Sequence, residues 1–368
     1  MIIMDIKADN LYAFKNFHMN MSYPKKIVDT AIPEEYLAER PNFRYKKINV
    51  IMGSNASGKT TLGKLLMLFA NYFKDGIRGR FADIIDDSTQ KAELAVDFVT
   101  EPDRLCRFHM RTEGKTKNCG YSEKEVAVSI VYTMIGKREN YETCAQRLNE
   151  GQGIGISYDQ INTRGWHFSY PLDAWKNKTY YTIEDSDQYL HILQQILMTL
   201  DPSVKSVIRL QDVDNTYAVK LQNRTVLIQD GRIVETELLS SGTKAGLDIS
   251  YIIASIICRR HNLYYCDELF SYVNSDIEKA CLSVMIERLS GARQLFFTTH
   301  NTDILDMQLP KHAFTFLKKD VYDPCTPIKC VYAHDYLKRS SDSLKNAVEN
   351  DLFCTSPDLS RLYEIAEL

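Results

Sequence analysis

The chain has 368 residues, 44% of them hydrophobic and 25% charged. That is ordinary globular composition, long enough for one large domain with an insertion or for two domains. A net charge of −3 excludes a global basic field, so any nucleic-acid contact must be local.

In chain order, Ile2 to Ile6 and Phe17 to Met21 read as two strands flanking Asn10 to Asn16. Residues 23–45, with Pro24, Pro33 and Pro41, read as a loop with a short helix. Ile48 to Met52 then reads as a short buried strand, and Thr61 to Phe73 as a helix with Leu62, Leu65, Leu66 and Phe69 on one face. Between them lies Gly53-Ser54-Asn55-Ala56-Ser57-Gly58-Lys59-Thr60, followed by Thr61, which fits G-x-x-x-x-G-K-[S/T] at every fixed position. Glycines let this backbone curl so that successive N–H groups point into one concavity, and the helix start adds its positive dipole end. Lys59 can reach the β- and γ-phosphates of a nucleotide, and the Thr60 hydroxyl can ligate Mg²⁺.

Glu93 to Val99 and Leu105 to Arg111 read as an antiparallel pair, and Glu125 to Ile135 as another strand. Residues 110–200 read as an inserted, partly helical region ending in a helix from Gln188 to Leu200. Its Gly151-Gln152-Gly153-Ile154-Gly155 lacks the spacing of a dinucleotide loop. Its acidic cluster, Glu184-Asp185-Ser186-Asp187, is read as the cap of that helix, with a metal site as the sharper alternative. Val207 to Leu210, Thr216 to Leu221 and Val226 to Ile228 read as strands, the last leading through a turn at 229–232.

Leu239-Ser240-Ser241-Gly242-Thr243-Lys244 precedes a helix predicted over Ala245 to Arg260. A Ser/Gly turn there is either an anion site or plain capping. Leu263 to Cys266 is an apolar strand ending in Asp267 and Glu268. In a parallel sheet this end lies beside the phosphate loop, where Asp267 would hold Mg²⁺ and Glu268 would orient the attacking water. Ser275-Asp276-Ile277-Glu278 fits a capping box for a helix to about Leu289. Gln294 to Thr299 is a second buried strand, and His300 at its tip either contacts a γ-phosphate or is structural.

The nine cysteines, Cys106, Cys119, Cys144, Cys258, Cys266, Cys281, Cys325, Cys330 and Cys354, form no C-x-x-C pair and read as reduced residues of a cytoplasmic protein. The start lacks a signal-peptide pattern, and the longest apolar run, Tyr251 to Cys258, is too short to span a bilayer, so no membrane association is expected.

Taken in this order, the motifs resemble ATP-binding-cassette (ABC) ATPases of the branch that contains SMC proteins and OLD-like ATPases. The resemblance covers roughly residues 1–100 and 200–305 and implies an α/β P-loop NTPase fold. That fold has a mixed sheet, flanking helices and an antiparallel β subdomain, here a single domain over 1–368 with a C-terminal extension at 306–368. Gly53 to Thr61 then correspond to Walker A, Ser240 to Lys244 to the signature, and Asp267 and Glu268 to Walker B. Asn274 to Asp276 correspond to the D-loop and His300 to the switch histidine. The family implies ATP and Mg²⁺ as ligands, with Thr60 and Asp267 on the metal and Glu268, His300 and Lys59 as the catalytic set. It also implies a C₂ dimer in which the signature of one copy completes the site of the other. By the same analogy Asn10 to Asn16 would line the adenine or ribose, unless Phe14 and Phe17 are core residues. Gln90 is the nearest candidate for the Q-loop.

Leu-Ser-Ser-Gly-Thr-Lys further resembles OLD-like ATPases of prokaryotic defence systems, and an ATPase without a TOPRIM-like acidic cluster resembles the stand-alone ATPases of antiphage systems of the PARIS or Septu type. Those work with a separately encoded effector, such as a TOPRIM or HNH nuclease. No acidic cluster resembling a TOPRIM site follows His300. Leu337 to Ala347 reads as a solvated capping segment or a partner surface. A DNA-repair ATPase acting on DNA itself, and a nuclease with an unrecognised site, remain the alternatives.

Overall fold

The computed structural model describes residues 1–27, 30–100, 103–116, 120–163, 165–170, 187–210, 212–213, 216–229, 232–233, 239–320, 322–339, 342–356 and 359–366. The first sheet runs β2 (Phe17–Asn20), β1 (Ile2–Asp9), β6 (Ala92–Thr100), β7 (Arg104–Thr112), β8 (Ala127–Met134) and β9 (Ile154–Gly155), antiparallel throughout. The second runs β10 (Trp166–Ser169), β15 (Leu263–Asp267), β16 (Gln294–Thr298), β5 (Ile48–Met52), β17 (Phe314–Lys319) and β18 (Ile328–Tyr332). Its neighbours are parallel except β17 and β18, which form an antiparallel pair. A third sheet joins β11 (Val204–Arg209), β12 (Thr216–Leu221), β13 (Thr225–Gln229) and β14 (Arg232–Ile233), and a hairpin joins β3 (Tyr36–Leu37) and β4 (Arg40–Arg44).

Helix α1 (Lys59–Asp75) lies between the first two sheets. Its Leu62, Leu65, Leu66 and Phe69 fall at helical spacing and share one buried cluster with Phe98 and Phe108 of the first sheet and Tyr265 and Phe296 of the second. Strand alternation sends Tyr264 and Cys266 to the opposite face. There α3 (Asp187–Leu200), α4 (Ser241–Ile257) and α5 (Ser275–Arg288) cover them in a second cluster. The remaining helices are α2 (Tyr141–Asn149), α6 (Ala333–Tyr336), α7 (Leu344–Glu349) and α8 (Ser360–Ala366). Gly63 lets α1 approach closely, since a Cβ there would stand 2.5 Å from the Tyr265 ring. No helix among the described residues is long and apolar enough to cross a membrane.

Several expectations change. Residues 23–45 hold the β3–β4 hairpin and, among those described, no helix. Pro41 sits inside β4, whose only strand partner among the described residues is the two-residue β3, where a missing N–H is tolerated. Helix α4 begins at Ser241 rather than Ala245, so the Ser/Gly turn is its first turn. Asn274, not Ser275, caps α5, accepting from the Asp276 N–H. The stretch 110–200 supplies β8 and β9 to the first sheet, β10 to the second, and helices α2 and α3. Glu184 to Ser186, Cys119 and the tip of the 229–232 turn lie outside the described residues.

Candidate nucleotide site

The parallel register brings β5, β15 and β16 to a common C-terminal edge, with Thr298 opposite both Ile51 and Asp267. Gly53, at the exit of β5, allows the chain to fold back: a Cβ there would meet the Leu317 carbonyl at 2.5 Å and Ser57 Oγ at 2.7 Å. Gly58 caps α1 with φ +101, in the region that favours glycine. Phe14 packs beside it.

Lys59 is nearly buried and donates to the Gly53 carbonyl at 2.9 Å, while its Nζ stands 3.8 Å from Glu268 Oε1. Burial pushes its pKa down, and the Glu268 and Asp267 charges oppose that. Thr60 Oγ1 donates to Asp267 Oδ2 at 2.6 Å, and Thr298 Oγ1 donates to Asp267 Oδ1 at 2.7 Å. Asp267 is fully buried, which raises its pKa against the pull of those two hydroxyls. Glu268 has φ +47, and its N–H donates to Thr298 Oγ1 at 2.9 Å. Its carboxylate meets His300 Nε2 at 2.8 Å, and that hydrogen bond holds it below the ordinary carboxylate range.

Sequence reading missed Thr298, which touches both acids. The only hint was a hydroxyl ending an otherwise apolar strand. Behind it, Glu278 accepts from Thr299 Oγ1 at 2.8 Å and Asn301 Nδ2 at 2.7 Å, tying α5 to the segment that carries His300. Burial raises the Glu278 pKa.

The residues fit a magnesium nucleotide. The cradle at Gly53 is one a Cβ would fill, and Ser57 Oγ is buried there without a protein partner. Thr60 and Asp267 offer the oxygen donors that Mg²⁺ takes. A cavity of about 290 Å³ opens beside the loop, lined in part by Gly53, Ser54, His300, Phe316, Glu349 and Ser356. The C-terminal segment therefore reaches the site: α7 buries Leu344 and Ala347 in the main core and is not a purely solvated cap.

The turn Ser240 to Lys244 behaves locally as a cap. Ser240 Oγ accepts from the Thr243 N–H at 3.1 Å, and buried Thr243 donates to Asp201. Ser240 and Ser241 are exposed. Among the described residues no hydrogen bond or ion pair joins this turn to Gly53–Thr61. Asn10 is committed elsewhere, donating to the Asp87, Gln90 and Lys91 carbonyls. Phe14 and Phe17 are core residues. Gln90 is exposed in that turn and bonds Asp87.

No protein-family model and no curated protein sequence matches the chain. Among solved structures it is similar to an SMC head bound to the C-winged helix domain of ScpA, at 13% identity and TM-score 0.51, covering 92% of this chain and 100% of that one. An SMC head domain from Thermotoga maritima matches at 11% identity and TM-score 0.43, over 90% of this chain and 99% of its own. RecF with ATP, the recombination mediator of the RecFOR pathway, matches at 12% and 0.40, over 86% and 95%. The fold is similar to that of an SMC head, with a mixed sheet, an antiparallel sheet and flanking helices.

Proposed function

We propose that this chain is a cytoplasmic ATPase of ABC type, one domain over residues 1–368, that binds ATP with Mg²⁺ and hydrolyses it as a conformational switch. The observation that carries this reading is the connected set Thr60–Asp267–Thr298 and Lys59–Glu268–His300 at the mouth of the phosphate loop. Backbone N–H groups from Gly53 to Thr61, with Lys59, hold the phosphates. Thr60 and Asp267 hold the metal, which neutralises phosphate charge when bound. Glu268, charged and oriented by His300, positions water. The exposed Ser240 and Ser241, which make no hydrogen bond or ion pair to Gly53–Thr61 among the described residues, support a C₂ sandwich in which this turn faces the loop of a second copy.

Lys59→Ala removes the cation on the phosphates and should weaken MgATP binding on the order of 100-fold, measured by calorimetry. Glu268→Gln should bind MgATP normally, accumulate as a dimer and turn over about 10²–10³-fold more slowly. Wild-type turnover by Glu268→Gln would remove the water-positioning role.

The variant turn Leu239 to Lys244 supports a finer reading, control of a separate effector such as a TOPRIM or HNH nuclease in antiphage defence. Retention of such a protein on tagged Glu268→Gln chain, and its release from wild type as ATP is consumed, tests it. The likeness to an SMC head equally supports an ATPase that acts on DNA itself. ATP-stimulated, salt-sensitive retention of duplex DNA by the chain alone would favour that second reading.

A further inference from the structure

A second concentration of charge lies at the opposite edge of the second sheet. Strand β5 begins after Lys46 and Lys47 and ends at the phosphate loop. Strand β17 runs parallel to it and begins after Lys311 and His312, while antiparallel β18 ends beside His334. A cavity of about 540 Å³ opens there, lined in part by Tyr23, Lys25, Lys26, Lys311, Lys338 and Arg339. The length of β5 separates it from the phosphate loop, about 15 Å at 3.3 Å per residue.

Four features make this more than a solvated basic face. Among the described residues, no carboxylate lines the cavity, although the chain as a whole is acidic at −3. The nearby acids are engaged around it: Glu35 with His312 at 2.7 Å, Asp335 with His334 at 3.7 Å, and Asp342 with Lys311 at 3.9 Å. The wall is built, because the Tyr23 ring stacks on His312 at 4.4 Å and meets His334 edge-on at 5.4 Å. His334 Nδ1 is buried without a protein partner on that wall. Lys25, Lys26 and Arg339 are exposed at the mouth.

We infer that this cavity is a binding site for a phosphate-bearing anion of nucleotide size, separate from the proposed ATP site. Volume and chemistry both fit. Small-ligand sites enclose roughly 300–1,000 Å³. Clustered Lys and Arg, of which Lys311 faces Asp342, recognise a multiply charged phosphate, with Arg339 able to give a bidentate contact and the lysines acting as point charges. The His334 ring nitrogen and the Tyr23 ring supply the non-ionic wall. The site's residues come from three separated segments, 23–27, 308–312 and 334–339, so an occupant would clamp them together at the sheet edge.

The test uses the full chain carrying Lys59→Ala, which silences the phosphate loop, and inorganic tripolyphosphate as probe. Calorimetry at low salt should show one site whose affinity falls steeply as salt is raised. Adding Lys25→Glu and Arg339→Glu, both exposed, should weaken it at least about tenfold, the scale of losing two charge-assisted contacts. The same two changes in an otherwise wild-type chain should leave MgATP turnover and the unfolding midpoint unchanged. Tripolyphosphate binding that is equal with and without the charge reversals, or absent from the Lys59→Ala chain, would overturn the site. A clear preference for an oligothymidylate over tripolyphosphate at equal phosphate would overturn the small-ligand reading in favour of a nucleic-acid backbone. The binding outcomes do not depend on whether Glu268 supports hydrolysis.

Discussion

At one edge of the second sheet the acids are held by close partners: Lys59 and His300 face Glu268, and Asp267 is held by two hydroxyls. At the other edge the balance is positive. Lys46 and Lys47 are buried, and their ammonium groups donate chiefly to the carbonyls of Asn20 at 3.0 Å and Pro33 at 2.9 Å. Lys46 also sits 3.6 Å above the Tyr332 ring. The counter-charge for Lys47 is the exposed Glu34, at 3.6 Å. The two ends solve burial differently. One builds a connected network of hydroxyl, carboxylate, ammonium and imidazole groups at the strand ends. The other buries two lysines against backbone carbonyls and an aromatic ring and presents further cations at the surface. That contrast predicts that changes at the loop edge alter turnover, whereas changes at the opposite edge alter stability and its pH dependence.

Thr298 gives the larger effect. Its hydroxyl donates to Asp267 and accepts from the Glu268 N–H, so it fixes both acids at once. Thr298→Val keeps the strand's shape and removes both bonds. A buried hydrogen bond to a charged group contributes about 1.5–3 kcal/mol, so MgATP turnover should fall on the order of 30-fold. Thr298→Ser should restore it. A steady-state ATPase assay decides, and a Thr298→Val chain as active as wild type would mean that the acids hold their geometry unaided.

Much of the loop edge was legible in sequence because its chemistry is local. A phosphate loop needs its glycines, lysine and hydroxyl within one turn, and the buried strands before Gly53, Glu268 and His300 are short apolar runs. Registry is what sequence hides. Nothing in Gln294 to Thr299 announces that Thr298 lies opposite Asp267, since that follows from how β15 and β16 align. The β3–β4 hairpin was hidden because Pro24, Pro33 and Pro41 read as loop. Asn274 was passed over as the cap of α5 because Ser275 and Glu278 have capping-box spacing, yet their side chains serve Asp303, Thr299 and Asn301. The basic cavity was invisible for a stronger reason: its cations come from segments some 300 residues apart, and no window of sequence holds them together.

The smaller effect sits at the opposite edge and is read as a pH slope. Burial lowers the Lys46 pKa from 10.5 to about 7 and that of Lys47 to about 8. Each therefore binds its proton more weakly in the folded chain than in the unfolded one. Between these values and 10.5 the unfolded state holds more protons, so their contribution to stability rises with pH across that window and is lowest below it. One such lysine contributes a slope of at most about 1.4 kcal/mol per pH unit. Lys46→Met keeps the buried stem and removes the titration. Denaturant unfolding at pH 7 and pH 9.5 should then show wild type gaining stability on the alkaline side and Lys46→Met gaining roughly half as much, with ATP turnover little changed. An unchanged slope in Lys46→Met would mean that Lys46 keeps an ordinary proton affinity within the wall. The contrast between the two edges would then rest on Lys47 and the surface cations alone.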